Sequence, residues 1–169
     1  SQLIGEFVKK KYNKDYLKLS EKEKIDFLKS KLNSKKNIIN KFKFKNKENK
    51  EVWSTFNLLS NEPSECLGAY VISMTSSASD ILSVSFLQKE AKIKNKLRVV
   101  PLFETLDDLI NAKSIMENLF SHKWYRNLIK HKQEVMIGYS DSSKDAGKMC
   151  ASWHQYKAQE EIVKLGNKY

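Results

Sequence analysis

Two carboxylates occupy positions from which chemistry could be done. Glu104 directly follows the apolar run Leu97-Arg98-Val99-Val100-Pro101-Leu102-Phe103, and Asp141 follows Glu134-Val135-Met136-Ile137-Gly138-Tyr139 after a single Ser140. If both runs are neighbouring parallel strands, their ends can converge on one point. A carboxylate pair there suits a hard divalent cation, with water and substrate oxygens completing an octahedron. The same residues also support a local reading, with Glu104 as an acidic charge at a helix start beside Thr105 and Asp141 as an N-cap. The pattern alone leaves both readings open. Softer ligands offer nothing comparable: Cys66 and Cys150 are far apart, and His122, His131 and His154 show no metal-ligand spacing relative to them. Both cysteines therefore read as reduced, structural thiols.

The elements that must position the carboxylates read as βα units. Three short runs rich in β-branched or aromatic residues begin at Leu67, Leu97 and Glu134, offset by about 30–37 residues. A polar turn and a longer helical pattern follow each one. Ser79-Asp80 opens Ile81 to Lys89; Thr105-Leu106-Asp107-Asp108 caps a helix carrying Leu109, Ile110, Ile115, Met116 and Leu119; and Lys148 onward carries Trp153, Tyr156, Ala158, Ile162 and Val163. Parallel strands need such crossovers. The expected fold class is helix-rich α/β, a partial (β/α)₈ barrel of about three βα units preceded by a helical segment. In such barrels the active site lies at the C-terminal ends of the strands, where Glu104 and Asp141 fall. Three strands cannot close a barrel, so residues 63–169 are expected to belong to one larger catalytic domain.

Residues 1–62 read as a helical, lysine-rich lead-in. Ile4, Phe7 and Val8 imply a short helix, and Ser20-Glu21-Lys22-Glu23 is a capping box opening a helix with Ile25, Leu28 and Leu32 on one side and Phe27 at the edge. Asn33 to Asn49 reads as an exposed connection with a short extended piece around Phe42 and Phe44; Glu51 to Leu59 is helical again and ends before Pro63.

The formal charge of +11 is unevenly spread. Residues 1–50 hold 16 Lys, no Arg and 6 acidic residues, and residues 51–169 hold 13 Lys, 2 Arg and 14 acidic residues. Nucleic-acid surfaces recruit Arg, whose planar fork suits phosphate and guanine, so the excess reads as solvated surface and no nucleic-acid partner is expected. No apolar run is long enough to span a bilayer and no signal-peptide core is visible, so no membrane partner is expected and the location is expected to be cytoplasmic. The chain starts at Ser1 without Met and ends in Gly166-Asn167-Lys168-Tyr169, which makes an internal fragment the expectation.

Val135-Met136-Ile137-Gly138-Tyr139-Ser140-Asp141-Ser142-Ser143-Lys144-Asp145-Ala146-Gly147 resembles the signature of the phosphoenolpyruvate carboxylases, departing at Ser143, where the family usually has glycine. Val99 to Leu109 resembles a second characteristic segment, and Ala69 to Met74, Trp124-Tyr125-Arg126 and Trp153 with Tyr156 to Gln159 support it. The resemblance covers the whole chain, strongly from about Gly68 and weakly before it. It implies conversion of phosphoenolpyruvate and bicarbonate into oxaloacetate and phosphate with Mg²⁺ or Mn²⁺, in a complete enzyme that is a homotetramer. It places Glu104 and Asp141 at the two metal-ligating carboxylates, Leu102 and Met136 in a small apolar pocket for carbon dioxide, and Lys144 at a lysine associated with bicarbonate. It also implies that the catalytic histidine, an Arg-bearing strand, a glycine-rich phosphate-gripping loop and the effector site lie outside this sequence. None of the three histidines, nor Arg98 or Arg126, matches a catalytic position. The isolated chain is therefore expected to be inactive. Two other functions compete: a polyanion-binding module using Lys9 to Lys50, and a different metal-dependent barrel enzyme acting on phosphoenolpyruvate or pyruvate.

Overall fold

The computed structural model describes residues 1–39 and 41–169. The chain divides into two compact units, Ser1–Gly68 with Ser79–Leu97, and Ala69–Ala78 with Arg98–Tyr169.

The first unit is built from four helices: α1 (Gln2–Tyr12), α2 (Glu21–Asn33), α3 (Lys47–Asn61) and most of α4 (Ala78–Glu90). α1 buries Leu3, Ile4, Phe7 and Val8, and Asn13 closes it in the left-handed conformation at φ 52°. The Ser20–Glu23 capping box forms on α2, the Ser20 hydroxyl accepting from the Glu23 amide while the Glu23 carboxylate accepts from the Ser20 amide. Ile25 and Leu28 are buried on that helix.

The connection before α3 departs from the sequence expectation. Residue 40 of that connection lies outside the described residues. No strand forms around Phe42 and Phe44, and the segment is not simply solvated: Ile39 and Phe44 are buried. Phe42 stacks edge-on against Phe7 and Phe44, with ring centroids 5.2 and 4.8 Å apart, and Phe44 adjoins Trp53. Burial of a few aromatics between lysines holds this segment without a hydrogen-bonded ladder. α3 begins earlier than expected because Asn46, hidden among lysines, accepts from the Asn49 amide as an N-cap.

Three buried or half-buried carboxylates complete the unit. Glu90 is fully buried and accepts from the Ile38 and Ile39 amides at 2.5 and 2.7 Å. Glu21 accepts from the Ser79 amide and hydroxyl at 2.7 and 2.9 Å, supplying a partner for a first-turn donor of α4. Glu6 accepts from the Lys45 amide at 2.5 Å and the Asn49 side chain at 2.7 Å.

The second unit holds a three-stranded parallel sheet in the order β1 (Ala69–Ile72), β2 (Arg98–Phe103), β3 (Met136–Ile137), with helices α5 (Leu106–Ser121), α6 (Lys123–Leu128), α7 (Ser140–Ala146) and α8 (Lys148–Lys168). Ala69 pairs with Arg98 and Ile72 with Pro101; Leu102 pairs with Met136 and Phe103 with Ile137. The helix-rich α/β class and the three parallel strands match the sequence expectation. β3 is far shorter than its apolar run. Glu134 is drawn into an exposed ion pair with Arg98 at 2.5 Å, and Tyr139 already has helical backbone angles as the N-cap of α7. Tyr125, buried on α6, donates to the Gln133 side chain, which donates in turn to the Val99 carbonyl; this chain of bonds ties the approach to β3 onto β2.

α5 buries Leu109, Ala112, Ile115, Met116, Leu119 and Phe120, whereas Ile110 is exposed. α8 differs from its expected apolar pattern. Its buried positions are Ala151, Ala158 and Leu165, a seven-residue stripe of mainly small side chains that permits close approach of a neighbouring helix, while Trp153, Tyr156 and Val163 are exposed. Among the described residues no helix is long and apolar enough to cross a membrane.

Candidate active site

The strand ends bring the sequence-predicted residues together in part. β2 ends at Phe103, so Glu104 is the first residue past the strand, half-buried. Thr105 takes the N-cap of α5: its hydroxyl accepts from the Asp108 amide at 3.1 Å, and the Asp108 carboxylate accepts from the Thr105 and Glu104 amides at 3.1 and 3.3 Å. The cap is thus made by Thr105 and Asp108. The Glu104 carboxylate is left out of it, and among the described residues it makes no hydrogen bond or ion pair.

Across from Glu104, β3 ends at Ile137, and the amide of Gly138 donates to the Phe103 carbonyl at 2.8 Å, carrying the pairing one residue past the strand. The root of the Glu104 side chain lies against Gly138, where a methyl group would meet the Glu104 Cβ at 2.7 Å. Leu102 also touches this point, 3.4 Å from the same methyl position, and is the register partner of Met136. Leu102 and Glu104 are two apart on a strand path and so share a face. Met136 is 45% exposed, so this apolar pair is open to solvent on the described chain.

Asp141 lies three residues beyond Gly138, in the first turn of α7. It is not the N-cap, a position held by Tyr139, whose carbonyl accepts from the Ser142 and Ser143 hydroxyls and from the Ser143 amide. Those bonds wind residues 140–146 into a helix and place Lys144 on α7, not in the open turn that the sequence implied. One helical turn therefore separates Asp141 and Lys144, and the ammonium meets the carboxylate at 3.0 Å. Ser143 needs no glycine conformation; it is helical, and its hydroxyl closes on Tyr139. The glycine that conformation does demand is Gly147, at φ 76°, where the chain breaks between α7 and α8. α7 is tied to α8 by Gln155 donating to the Ser142 hydroxyl at 3.1 Å.

The donor chemistry fits Mg²⁺ or Mn²⁺. Both candidate ligands are carboxylates, and among the described residues no group of three or more His, Cys, Asp or Glu is placed to hold a metal ion. Two protein oxygens would leave positions for water and substrate, as Mg²⁺ prefers. The other polar candidates remain outside it. His131 is exposed, His122 caps α6 beside Trp124, and His154 bonds the Cys150 carbonyl within α8. The residue missed by sequence reasoning is Gly138; a lone glycine closing a strand pattern signals close approach of another backbone, and that signal was present.

Parallel strands followed by helices, with a carboxylate just past each of two neighbouring strands, define a βα-repeat α/β protein. The family model for phosphoenolpyruvate carboxylase matches residues 2–169, and the chain belongs to that family. It is 51% identical over 154 residues to a phosphoenolpyruvate carboxylase of Flaveria pringlei, 50% to phosphoenolpyruvate carboxylase 3 of Arabidopsis thaliana and 49% to the phosphoenolpyruvate carboxylase of Proteus mirabilis. These matches cover 91% of this chain but only 16%, 16% and 18% of the relatives, so the chain spans about a sixth of their length.

Proposed function

We propose that the complete protein carboxylates phosphoenolpyruvate with bicarbonate, forming oxaloacetate and phosphate, and that this chain supplies the metal-binding part of its active site. The observation that carries the reading is the seating of Glu104 against Gly138, three residues before Asp141, at the shared end of parallel strands. In this reading the sheet is part of a (β/α)₈ barrel, residues 1–62 are its lead-in, and residues 63–169 belong to one larger catalytic domain. Glu104 and Asp141 hold Mg²⁺ or Mn²⁺, which when bound supplies positive charge to offset the anionic substrates. Bicarbonate attacks phosphorus, giving carboxyphosphate and the enolate of pyruvate; carboxyphosphate then releases carbon dioxide and phosphate, and the enolate carbon attacks carbon dioxide. Leu102 and Met136 keep water from the enolate so that carboxylation outruns protonation. Lys144 binds bicarbonate by charge-assisted hydrogen bonds, exchanging its contact with Asp141 for one with the substrate. The complete protein is read as a cytoplasmic homotetramer.

A coupled assay for oxaloacetate on the complete protein tests this. Turnover should require bicarbonate and a divalent cation, and Asp141→Asn should weaken Mn²⁺ binding while leaving the circular-dichroism spectrum unchanged. Full turnover by Asp141→Asn at limiting metal removes Asp141 from the site. The isolated chain should give no detectable oxaloacetate.

A further inference from the structure

Two glycines close to the site are required for opposite reasons. Gly147 has a left-handed φ of 76° and open space where its side chain would be. Gly138 has no left-handed φ, so its backbone conformation would accept an alanine, but the space is taken. A Cβ on Gly138 would lie 2.7 Å from the Glu104 Cβ, 3.1 Å from the Glu104 Cα and 3.4 Å from Leu102 Cδ1. The first two atoms cannot swing aside as the end of a flexible side chain can. The strands cannot part easily either, because the Gly138 amide bonds the Phe103 carbonyl and the pairs Leu102 with Met136 and Phe103 with Ile137 fix the register just below.

We infer that Gly138 is a positioning residue for the Glu104 carboxylate: its missing side chain lets the root of Glu104 sit against the end of β3, on the strand that leads to Asp141. The inference rests on the reading of Glu104 as a metal ligand. An alanine at 138 must push the Glu104 backbone or Cβ away, and displacement at the root of a side chain is carried out to the carboxylate. Mg²⁺ and Mn²⁺ sites demand ligand oxygens at near-octahedral positions, so the displacement should appear first as lost metal affinity. Changing a group that orients a metal ligand typically costs about 10–100-fold in metal affinity or activity.

The test is direct Mn²⁺ binding to the complete protein, followed by the electron paramagnetic resonance of the free ion, for wild type, Gly138→Ala, Glu104→Gln and the double variant. Gly138→Ala should bind Mn²⁺ roughly tenfold or more weakly. In the Glu104→Gln background, where the ligand is already lost, adding Gly138→Ala should change affinity less than about twofold. Wild-type affinity in Gly138→Ala overturns the inference, as do losses that multiply in the double variant. If Gly138→Ala does not fold, the exchange Glu104→Gly with Gly138→Ala relocates the missing side chain and should melt close to Glu104→Gly. An exchange variant that stays as unstable as Gly138→Ala locates the clash elsewhere and also overturns the inference. Unchanged Mn²⁺ binding in Glu104→Gln alone has a different meaning, since it sinks the metal-ligand reading itself.

Discussion

Glu6, Glu21 and Glu90 in the first unit and Glu104 and Asp141 at the strand ends are all at least partly sheltered acids, yet the fold treats them differently. The first three each accept a backbone amide from a segment between 39 and 58 residues away in sequence. Their negative charge fastens helices to loops. Among the described residues the Glu104 carboxylate accepts no hydrogen bond, and Asp141 pairs with the exposed ammonium of Lys144 on its own helix. A carboxylate satisfied by two buried amides has no reason to bind a cation, whereas one excluded from the local helix cap retains its lone pairs for a ligand. Acids that look alike in sequence thus divide into fasteners and candidate ligands according to whether backbone donors reach them.

The largest expected effect breaks the ligand side of this contrast. In the complete protein, Glu104→Gln should lower metal-dependent turnover by roughly 100-fold or more, as loss of a charge that acts at the reacting centre does. Its thermal midpoint should barely move, because no described partner is lost. A variant with normal turnover, or one whose loss of activity follows loss of fold, returns Glu104 to the structural class.

Glu90→Ala makes the opposite prediction. Removing this acceptor leaves the buried Ile39 amide and the neighbouring Ile38 amide unpaired, at about 1–3 kcal/mol for each donor left unsatisfied. Lys89, which donates to the Lys31 and Lys36 carbonyls, also loses its contact with Glu90. Denaturant melts of the complete protein should show the loss, with Mn²⁺ affinity unchanged. Altered metal affinity at wild-type stability would erase the distinction between the two groups of acids.

The strand-end acids were legible in sequence because each follows a β-rich run, and the helix signals at Ser20 and Thr105 were legible because a cap is a local pattern. The fasteners were not. Nothing near Glu90 in the chain indicates that its partners are Ile38 and Ile39, and a lysine-rich stretch hides the burial of Ile39 and Phe44. The sequence pattern leaves Lys144 in the polar turn before Lys148 for a related reason: the hydroxyls of Ser142 and Ser143 favour either a turn or a first helical turn, and bonding to Tyr139 decides for the helix. Long-range hydrogen bonds decide what local pattern leaves open.

Lys144 sharpens the contrast at a smaller scale. Its contact with Asp141 is an exposed pair within one helix, worth only about 0–1 kcal/mol to stability. Lys144→Ala in the complete protein should therefore fold normally and raise the apparent KM for bicarbonate more than that for phosphoenolpyruvate, by about 1–3 kcal/mol of lost binding. If Lys144 serves only as a counter-charge for Asp141, the variant should instead bind Mn²⁺ more tightly with both KM values unmoved. Steady-state kinetics and metal titration on the same preparation separate the two outcomes.

The smallest expected effect concerns Glu6, a half-buried fastener. Partial burial works against its charge, but the Lys45 amide, the Asn49 side chain and the Asn46 amide outweigh that and hold its carboxyl below the ordinary carboxylate range. A carboxyl whose folded value is depressed contributes stability that is fully present above its unfolded value and is lost as pH falls through the folded one. Glu6→Gln keeps the shape but removes the charge, so hydrogen exchange at the Lys45 amide should be faster in the variant at neutral pH. The gap between variant and wild type, each corrected for the intrinsic pH dependence of exchange, should narrow as acid protonates Glu6 in the wild type. A gap that stays constant from neutral pH down through the carboxylate range would mean that the charge of Glu6 is not its cause, and no gap at any pH would mean that the amide of a glutamine fastens Lys45 equally well.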